Sequence, residues 1–336
     1  MDQSASVLSE AGAALFVEFS PGLAARNVYF PKTNLVFMIA QSFCKADKKV
    51  SGPIHYNLRV VECSLAALVL HRALCPGVPE PQDNSPLGIS LGTVFDTYWQ
   101  QPQRTEQDKK MTRMQKLEEY VKLVEEVFKE TPAPSREDIA KTVDCAVDDL
   151  EQQFIRKRFP VTATRFKLRD RAFHVYTEAL RVYRFMSLLE DPESSPTTAS
   201  EDNNNNDNNA IDYNARLGKL LNESQDSLRD NFDASIDELD TICKIARKEG
   251  SVGSRLTGAG WGGATVHMVP EEAVEGVKRA LMDEYYEGRS YGGKKLTEDH
   301  LDAAVVVSRP GRGSTLWLPP SDQPYSDLFR SEAGIS

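Results

Sequence analysis

The fifteen residues Gly253-Ser-Arg-Leu-Thr-Gly-Ala-Gly-Trp-Gly-Gly-Ala-Thr-Val-His267 form the most distinctive stretch of the sequence. Five of them are glycine, and most of the others are small or carry a hydroxyl group. Glycine at this density gives up backbone entropy, which is usual where the chain turns through positive φ or comes close to a ligand. The apolar residues 264–269 that follow predict a strand. We therefore predict a helix, then a glycine-rich loop that faces a substrate, then a buried strand.

The number of glycines decides how this loop is interpreted. One or two glycines would indicate only a tight turn with close packing. Four glycines within six residues, with hydroxyl groups beside them, favour backbone that faces a ligand. The candidates for the nucleotide and phosphate side of such a site are Ser254, Thr257, Gly258, Gly260, Gly262 and Gly263.

The composition narrows the class of protein. A chain of 336 residues suits two domains, or one domain with insertions, and its net charge of −10 argues against a nucleic-acid partner. Five widely spaced cysteines without a C-x-x-C pair indicate reduced thiols in a cytoplasmic protein. The sequence contains no apolar run long enough for a membrane span and no signal peptide at its start. We expect a cytoplasmic protein without a membrane partner.

The apolar spacing predicts an α+β fold. Strands are predicted at residues 14–19, 28–30, 34–40, 264–269 and 303–308. Amphipathic helices are predicted at residues 53–70, 110–129, 169–184, 217–224, 237–246 and 271–287, with a further helix opened by a capping box at 135–138. From residue 217 onwards the order is helix, loop, strand, helix, strand. Together with the strand near residue 35, this order predicts an antiparallel sheet backed by helices.

The glycine-rich stretch resembles the third signature of the GHMP small-molecule kinases. It is most similar to the galactokinase branch, and within that branch to the fungal enzymes and their galactose-sensor relatives. The similarity extends over about residues 1–318 and is densest at 1–3, 53–70, 165–184 and 217–269. One departure is Ala264, where fungal relatives tend to have cysteine, a residue of similar size. The resemblance implies the C-terminal domain of a GHMP kinase, whose antiparallel sheet backed by helices agrees with the α+β pattern.

Two residues outside the loop become candidates through this resemblance. Met1-Asp2-Gln3 matches the Met-Asp-Gln that follows the phosphate-binding second signature of galactokinases. The match implies that Asp2 binds the sugar and acts as catalytic general base toward its anomeric hydroxyl, whereas Asp2 without the match would be a solvated terminal residue. The segment from Tyr56 to Glu62 is very similar to fungal galactokinases, in which the tyrosine lies at the sugar. Tyr56 is therefore a substrate-binding candidate, with a packing tyrosine at a helix start as the alternative. No residue is assigned as a metal ligand.

The resemblance also predicts the domain organisation. We expect residues 1–30 to be a remnant of the N-terminal catalytic domain, residues 31–318 to be the GHMP-kinase C-terminal domain, and residues 319–336 to be a disordered tail. Within the larger domain, the asparagine-rich run 191–210 is predicted to be a low-complexity insertion or disordered loop. Neither the sugar-binding first signature nor the Gly-Leu-Ser-Ser-Ser-like second signature is found in these 336 residues, and no P-loop replaces them. We therefore expect an N-terminally truncated chain that is inactive by itself.

Three functional hypotheses stay open at this point. The first is the C-terminal portion of a galactokinase, which with ATP and Mg²⁺ converts D-galactose to galactose 1-phosphate and ADP in the first step of the Leloir pathway. The second is a non-enzymatic sensor that binds galactose and ATP and engages a transcriptional repressor. The third is a vestigial or interaction domain without kinase activity.

Overall fold

The computed structural model describes residues 2–19, 22–31, 33–45, 51–156, 159–191 and 203–314, with the backbone alone for residue 2 and residues 203–212. The helices are α1 Asp2–Leu8, α2 Tyr56–Leu74, α3 Leu91–Trp99, α4 Glu106–Lys110, α5 Arg113–Val127, α6 Arg136–Val143, α7 Val147–Leu150, α8 Leu168–Glu190, α9 Asn203–Asp230, α10 Asp237–Lys248, α11 Val274–Leu281 and α12 Glu298–Asp302. Shorter π or 3₁₀ segments are Glu151–Arg156, Glu271–Ala273 and Met282–Tyr286. The strands are β1 Ala13–Glu18, β2 Ala24–Tyr29, β3 Leu35–Gln41, β4 Gly253–Thr257, β5 Ala264–Pro270, β6 Ser290–Tyr291, β7 Lys294–Lys295 and β8 Val305–Ser308.

The chain divides into two compact units, and the smaller one joins Met1–Phe30 with Pro310–Ser336. In this unit β1 and β2 form an antiparallel hairpin whose register runs from Ala13 opposite Tyr29 to Glu18 opposite Ala24. The backbone N–H of Gly313 donates to the carbonyl of Ser9 at 2.7 Å, so the two segments of the unit are tied by main-chain hydrogen bonds.

The larger unit, Pro31–Arg309, contains a four-stranded sheet in the order β4-β5-β3-β8. Every neighbouring pair in this sheet is antiparallel. The central strand β3 is the apolar run predicted from the sequence, and its Met38 and Ala40 side chains are fully buried. They pack with apolar residues of α10, α11 and the segment Met282–Tyr286. The predicted α+β class, an antiparallel sheet backed by helices, is therefore confirmed.

A second apolar core lies among the helices of the larger unit. Helices α2, α3, α5, α6 and α8 supply its buried side chains. At its centre, Tyr120 and Tyr176 meet edge to face with ring centroids 4.9 Å apart, an arrangement that aromatic pairs favour. The capping box predicted at 135–138 is present, since the Ser135 hydroxyl and the Asp138 carboxylate each accept a backbone N–H of the other residue.

The prediction for the glycine-rich stretch is wrong at its first part. Gly253–Thr257 is a strand that pairs with β5, so the stretch is a β-hairpin and the loop is confined to residues 258–263. The reason lies in helix packing: a Cβ on Gly253 would come within 2.6 Å of the Gly218 Cα on α9. Gly253 is thus required by the close approach of a helix to a strand and not by a loop.

The predicted insertion also differs in part. Helix α9 begins at Asn203, so residues 203–210 have helical backbone and are not a loop. Once a helix is nucleated by packed residues further along, each added turn needs only propagation, which is inexpensive even for asparagine. The other residues of that insertion after Asp191, up to 202, and the predicted tail 319–336 lie outside the described residues.

Candidate functional site

The loop of the hairpin turns almost entirely through positive φ. Gly258, Gly260, Gly262 and Gly263 all have positive φ, and Trp261 does so as well, with φ of 55°. Left-handed backbone is strained for a bulky residue, so Trp261 keeps this conformation only because its surroundings hold it. The strained residue at the centre of the loop indicates a functional position.

Two hydrogen bonds hold Trp261 to the turn that follows α9. Its backbone N–H donates to the carbonyl of Ala234 at 2.8 Å, and its indole Nε1–H donates to the carbonyl of Asp233 at 2.8 Å. The approach is so close that a Cβ on Gly260 would lie 2.1 Å from the Ala234 oxygen. Only glycine fits at position 260, both for space and for its φ of 86°.

A cavity of about 390 Å³ opens between this loop and the start of α2, and we call it the polar cavity after the Ser51, His55, Tyr56 and Asn57 side chains in its lining. Its lining residues are Ser51, Gly52, His55, Tyr56, Asn57, Ala259, Gly260 and Trp261. Tyr56 is the first residue of α2 and is 57% exposed, while the rings of His55 and Trp261 are 5.1 Å apart. Burial, followed by the nearby Arg59 charge, lowers the pKa of His55 and so favours a neutral ring that can accept or donate hydrogen bonds.

A second, more apolar cavity of about 520 Å³ lies beside the first. Tyr56, Ala259 and Trp261 line both cavities. The second one is completed by residues of α2, α3, α8, α9 and the segment before α3, among them Val60, Ile89, Val175 and Phe232. Two adjoining cavities, one with several polar side chains and one more apolar, with two aromatic side chains in both linings, are the kind of concave surface that binds small molecules.

A group of buried charges adjoins the second cavity, and one of its members, Arg59, lines that cavity. The Glu62 carboxylate contacts Arg59 at 2.8 Å and Arg171 at 2.6 Å, and it accepts the backbone N–H of Lys167 at 2.8 Å. Burial raises the pKa of Glu62 to about 7, an effect that Arg59 and the Lys167 N–H oppose. A carboxylate this deeply buried is retained only where cations pair with it.

Of the six predicted loop residues, the structure brings two, Gly258 and Gly260, to the cavities that Tyr56 lines. Gly260 lines the polar cavity, Gly258 lines the apolar one, and Tyr56 lines both. Thr257 is exposed at the end of β4. Gly263 is engaged in backbone pairing, since its carbonyl accepts the Ser42 N–H at 2.7 Å and its N–H donates to the Cys44 carbonyl.

The prediction that Ser254 faces a ligand is wrong. Its side chain is fully buried within β4, where its hydroxyl shares hydrogen bonds with His267 Nδ1 at 2.8 Å and with the Ser251 hydroxyl at 3.0 Å. Strand side chains alternate between the two faces of a sheet. Because residue 254 lies in strand β4 and not in a loop, its hydroxyl points into the core. Asp2 begins α1 in the smaller unit, and its side chain lies outside the described atoms.

Sequence reasoning missed several residues that line these cavities. Trp261 is the clearest case, since one large aromatic residue among glycines is itself unusual and could have been singled out. Ser51, His55 and Asn57 lie beside Tyr56 in the sequence, but no spacing rule distinguishes them from solvated helix-start residues.

Other kinds of site are not indicated within the part of the chain that the structure describes. No three His, Cys, Asp or Glu side chains there lie close enough together to hold a metal ion. The five cysteines are all described and all free, in agreement with the expectation of reduced thiols. None of the described helices has the length and apolar character that crossing a membrane would need.

Comparison with known proteins identifies relatives of this chain. Residues 213–288 match the family model "GHMP kinases C terminal". The galactokinase of Candida albicans is 35% identical over 317 residues, which cover 94% of this chain and 59% of that protein. The galactokinase of Saccharomyces cerevisiae is 35% identical over 332 residues, with the same two coverages of 94% and 59%. The chain thus spans about 59% of the length of these curated relatives.

A solved structure is also similar. The Lactococcus lactis galactokinase complexed with galactose is 19% identical, with a TM-score of 0.48, and the match covers 91% of this chain and 53% of that one.

Proposed function

We propose that the chain forms the C-terminal wall of a galactokinase active site, because it is 35% identical to two fungal galactokinases and its residues 213–288 match the GHMP kinase C-terminal model. The reaction would transfer the γ-phosphate of ATP to O1 of galactose. One observation carries the proposal: Tyr56, the residue expected at the sugar, and the glycine-rich loop line the same polar cavity. A cavity of about 390 Å³ with serine, histidine, asparagine and tyrosine in its lining suits a polar hexose.

The proposal assigns a role to each candidate residue except Ser254, which is buried in the core, and Gly263, which pairs through its backbone. Phosphoryl transfer needs positioning and charge stabilisation more than covalent chemistry from the protein. Tyr56 would bind a sugar hydroxyl, while Gly258 and Gly260 let the backbone come close to the substrate, and Trp261 forms a fixed wall that excludes water. Thr257 and Gly262 would lie toward the phosphates, and Asp2 would orient or accept the proton of the attacking O1 hydroxyl.

The nucleotide and metal belong to the same proposal. ATP would be the phosphate donor, and Mg²⁺ would bind the ATP phosphates. In proteins this ion is commonly held by substrate phosphates together with one or two carboxylates. Residues 1–30 would belong to the catalytic domain that completes the site, residues 31–318 would form the C-terminal domain, and the cytoplasm would be the location. By itself the chain would release no galactose 1-phosphate, because the two signatures that hold sugar and phosphates in galactokinases are not among its 336 residues.

A chimera tests the proposal directly. The segment of the Candida albicans galactokinase that precedes its match to this chain is joined ahead of Met1, and ADP release is measured with and without galactose. We expect galactose-dependent ADP release, and we expect Asp2→Asn to lower kcat by about 100-fold or more, the usual contribution of a general base. The unextended chain is the control and should give no galactose 1-phosphate.

Two outcomes would count against the proposal. Galactose 1-phosphate formed by the unextended chain would contradict its inactivity. A chimera that binds galactose and ATP but releases no ADP would contradict the catalytic role and favour the sensor that engages a repressor.

A further inference from the structure

The turn that holds Trp261 is itself in an unusual conformation. Asp233 has a φ of 49°, in the left-handed region that aspartate tolerates better than most residues. The turn follows α9 directly, and its Asn231 and Phe232 N–H groups both donate to the Ser227 carbonyl at 3.0 Å. Its two following carbonyl groups, of Asp233 and Ala234, are the acceptors for Trp261. The position of Trp261 therefore depends on this turn.

Two buried arginines and one half-exposed lysine contact the turn from the other side. Arg171 donates to the Asp233 carboxylate at 2.6 Å and also to the Asn231 carbonyl, so one guanidinium group binds both ends of the turn. Lys167 contacts the same Asp233 oxygen at 2.9 Å, and Arg59 lies 3.5 Å from it. The side chain of Arg171 is 1% exposed and that of Asp233 is 36% exposed, so the pairing is anchored in the interior and reaches the surface at the turn.

The same cations are held by Glu62 on α2. Arg171 Nε donates to Glu62 at 2.6 Å, and Arg59 Nη1 donates to Glu62 at 2.8 Å. Only a planar guanidinium group can make these fixed, divergent contacts at once, and a lysine in place of Arg171 could not. Helix α2, which begins at Tyr56, is thereby connected through Arg171 to the turn that holds Trp261.

We propose that Arg171 and Asp233 are positioning residues, which fix Trp261 and so set the wall shared by the polar and apolar cavities. Neither residue needs to touch the substrate. Arg171 fixes the 231–234 turn, and the turn's carbonyl groups fix the loop.

The assignment explains why these charges are buried. A buried ion pair is weak evidence for stability, since apolar residues of equal volume often serve as well. The ion pairs are kept here because they fix the position of a strained loop residue. A binding surface depends on side chains that a second layer of contacts holds in place. The inference rests on the proposed function only for what the wall binds. The position of Trp261 can be tested without any substrate.

The fluorescence of Trp261 provides the test. The full chain has three tryptophans, and Trp99→Phe with Trp317→Phe leaves Trp261 as the single emitter. The Trp99 indole N–H is buried without a hydrogen-bond partner, so its replacement removes no hydrogen bond. In this background Trp261 is 9% exposed, and its emission should be poorly quenched by acrylamide.

Asp233→Asn is the first variant, since asparagine keeps the size of the side chain and tolerates the same φ. We expect the acrylamide quenching constant of Trp261 to rise about two-fold or more, with a shift of its emission to longer wavelength, because a loosened loop admits the quencher. Arg171→Met should raise the quenching constant of Trp261 further than Asp233→Asn does, because it removes the contacts to both ends of the turn. Asp233→Asn remains the deciding variant where Arg171→Met does not fold. Arg136→Met is the matched control, because Arg136 pairs with Glu151 at 3.2 Å and neither residue lines a cavity beside the loop.

The outcomes are distinguishable. If Asp233→Asn lowers the unfolding temperature but leaves the quenching constant of Trp261 unchanged, the charges are structural and the proposal is overturned. If the control raises the quenching constant as much, the effect is general loosening and the proposal is likewise wrong. A galactose titration of the chimera that leaves Trp261 emission unchanged would count against the sugar site and leave the positioning result standing.

Discussion

The strands and the loop of the hairpin β4–β5 are held in different ways. In the strands and just before them, a chain of hydrogen bonds runs from the Ser251 hydroxyl through Ser254 and His267 to Thr265, and all four side chains are buried. At the loop end, two carbonyl groups of a separate turn hold Trp261, and the loop faces two cavities. The strands are tied by buried hydrogen bonds to each other, to α9 and to β3, which contribute stability. The loop depends on the separate 231–234 turn for its position. Such dependence is typical of a binding site, which needs a defined position more than it needs stability.

The largest expected loss of stability comes from replacing one of two glycines in the loop. Gly260→Ala should lower the free energy of unfolding by about 3 kcal/mol or more, since its Cβ would lie 2.1 Å from the Ala234 oxygen and the backbone would have to move. Gly258→Ala should lower it by only about 1 kcal/mol, because position 258 has a similar positive φ but no atom within 4 Å of the added Cβ. Urea unfolding of both variants measures the difference. Equal losses would mean that the contact with Ala234 does not hold the loop.

The next largest expected effect is the dependence of stability on pH that His267, on β5, should cause. Burial lowers the pKa of His267 to about 3. Between its ordinary pKa near 6.5 and this value, the unfolded chain binds a proton that the folded protein does not, so stability falls as the pH falls. From pH 7 to pH 5 this residue should lower the free energy of unfolding by about 2 kcal/mol.

A variant isolates this contribution from other titrating groups. Burial also lowers the pKa of His174, to about 4, and that acts in the same direction, whereas the raised pKa of Glu62 acts in the opposite one. His267→Gln cannot titrate, so the parent should lose about 2 kcal/mol more than this variant between pH 7 and pH 5. Urea unfolding at the two pH values gives the comparison. An equal loss in both proteins would show that His267 is not held neutral in the core.

The same contrast shows how far the sequence could be read. Apolar spacing located β3, β5, β8 and the amphipathic helices, because burial acts on each of these segments separately. Apolar spacing did not predict β4. Gly253 allows a helix to pack closely and Gly258 allows a turn, but the sequence shows the same residue type at both positions. Ser254 was misplaced for the same reason.

The site was predictable only where neighbours in sequence carry it. Gly258 and Gly260 were candidates because they stand in a distinctive local run, and Tyr56 became one only through the resemblance to fungal galactokinases. The contacts among Glu62, Arg171 and Asp233 join residues more than sixty positions apart, and each residue alone resembles a solvated charge. No local pattern reports that such charges meet inside the protein.

The smallest expected effect compares two hydroxyl groups on β4. Ser254→Ala should lower the free energy of unfolding by about 1–2 kcal/mol, because His267 Nδ1 would lose its buried partner. Thr257→Ala, at the exposed end of the same strand, should change it by less than about 0.5 kcal/mol. In the active chimera the order should reverse for substrate affinity, with Thr257→Ala raising the KM for ATP and Ser254→Ala leaving it unchanged. If Thr257→Ala changes neither stability nor KM, the ligand-facing part of the loop begins at Gly258, and the hairpin divides between core and site one residue later than proposed.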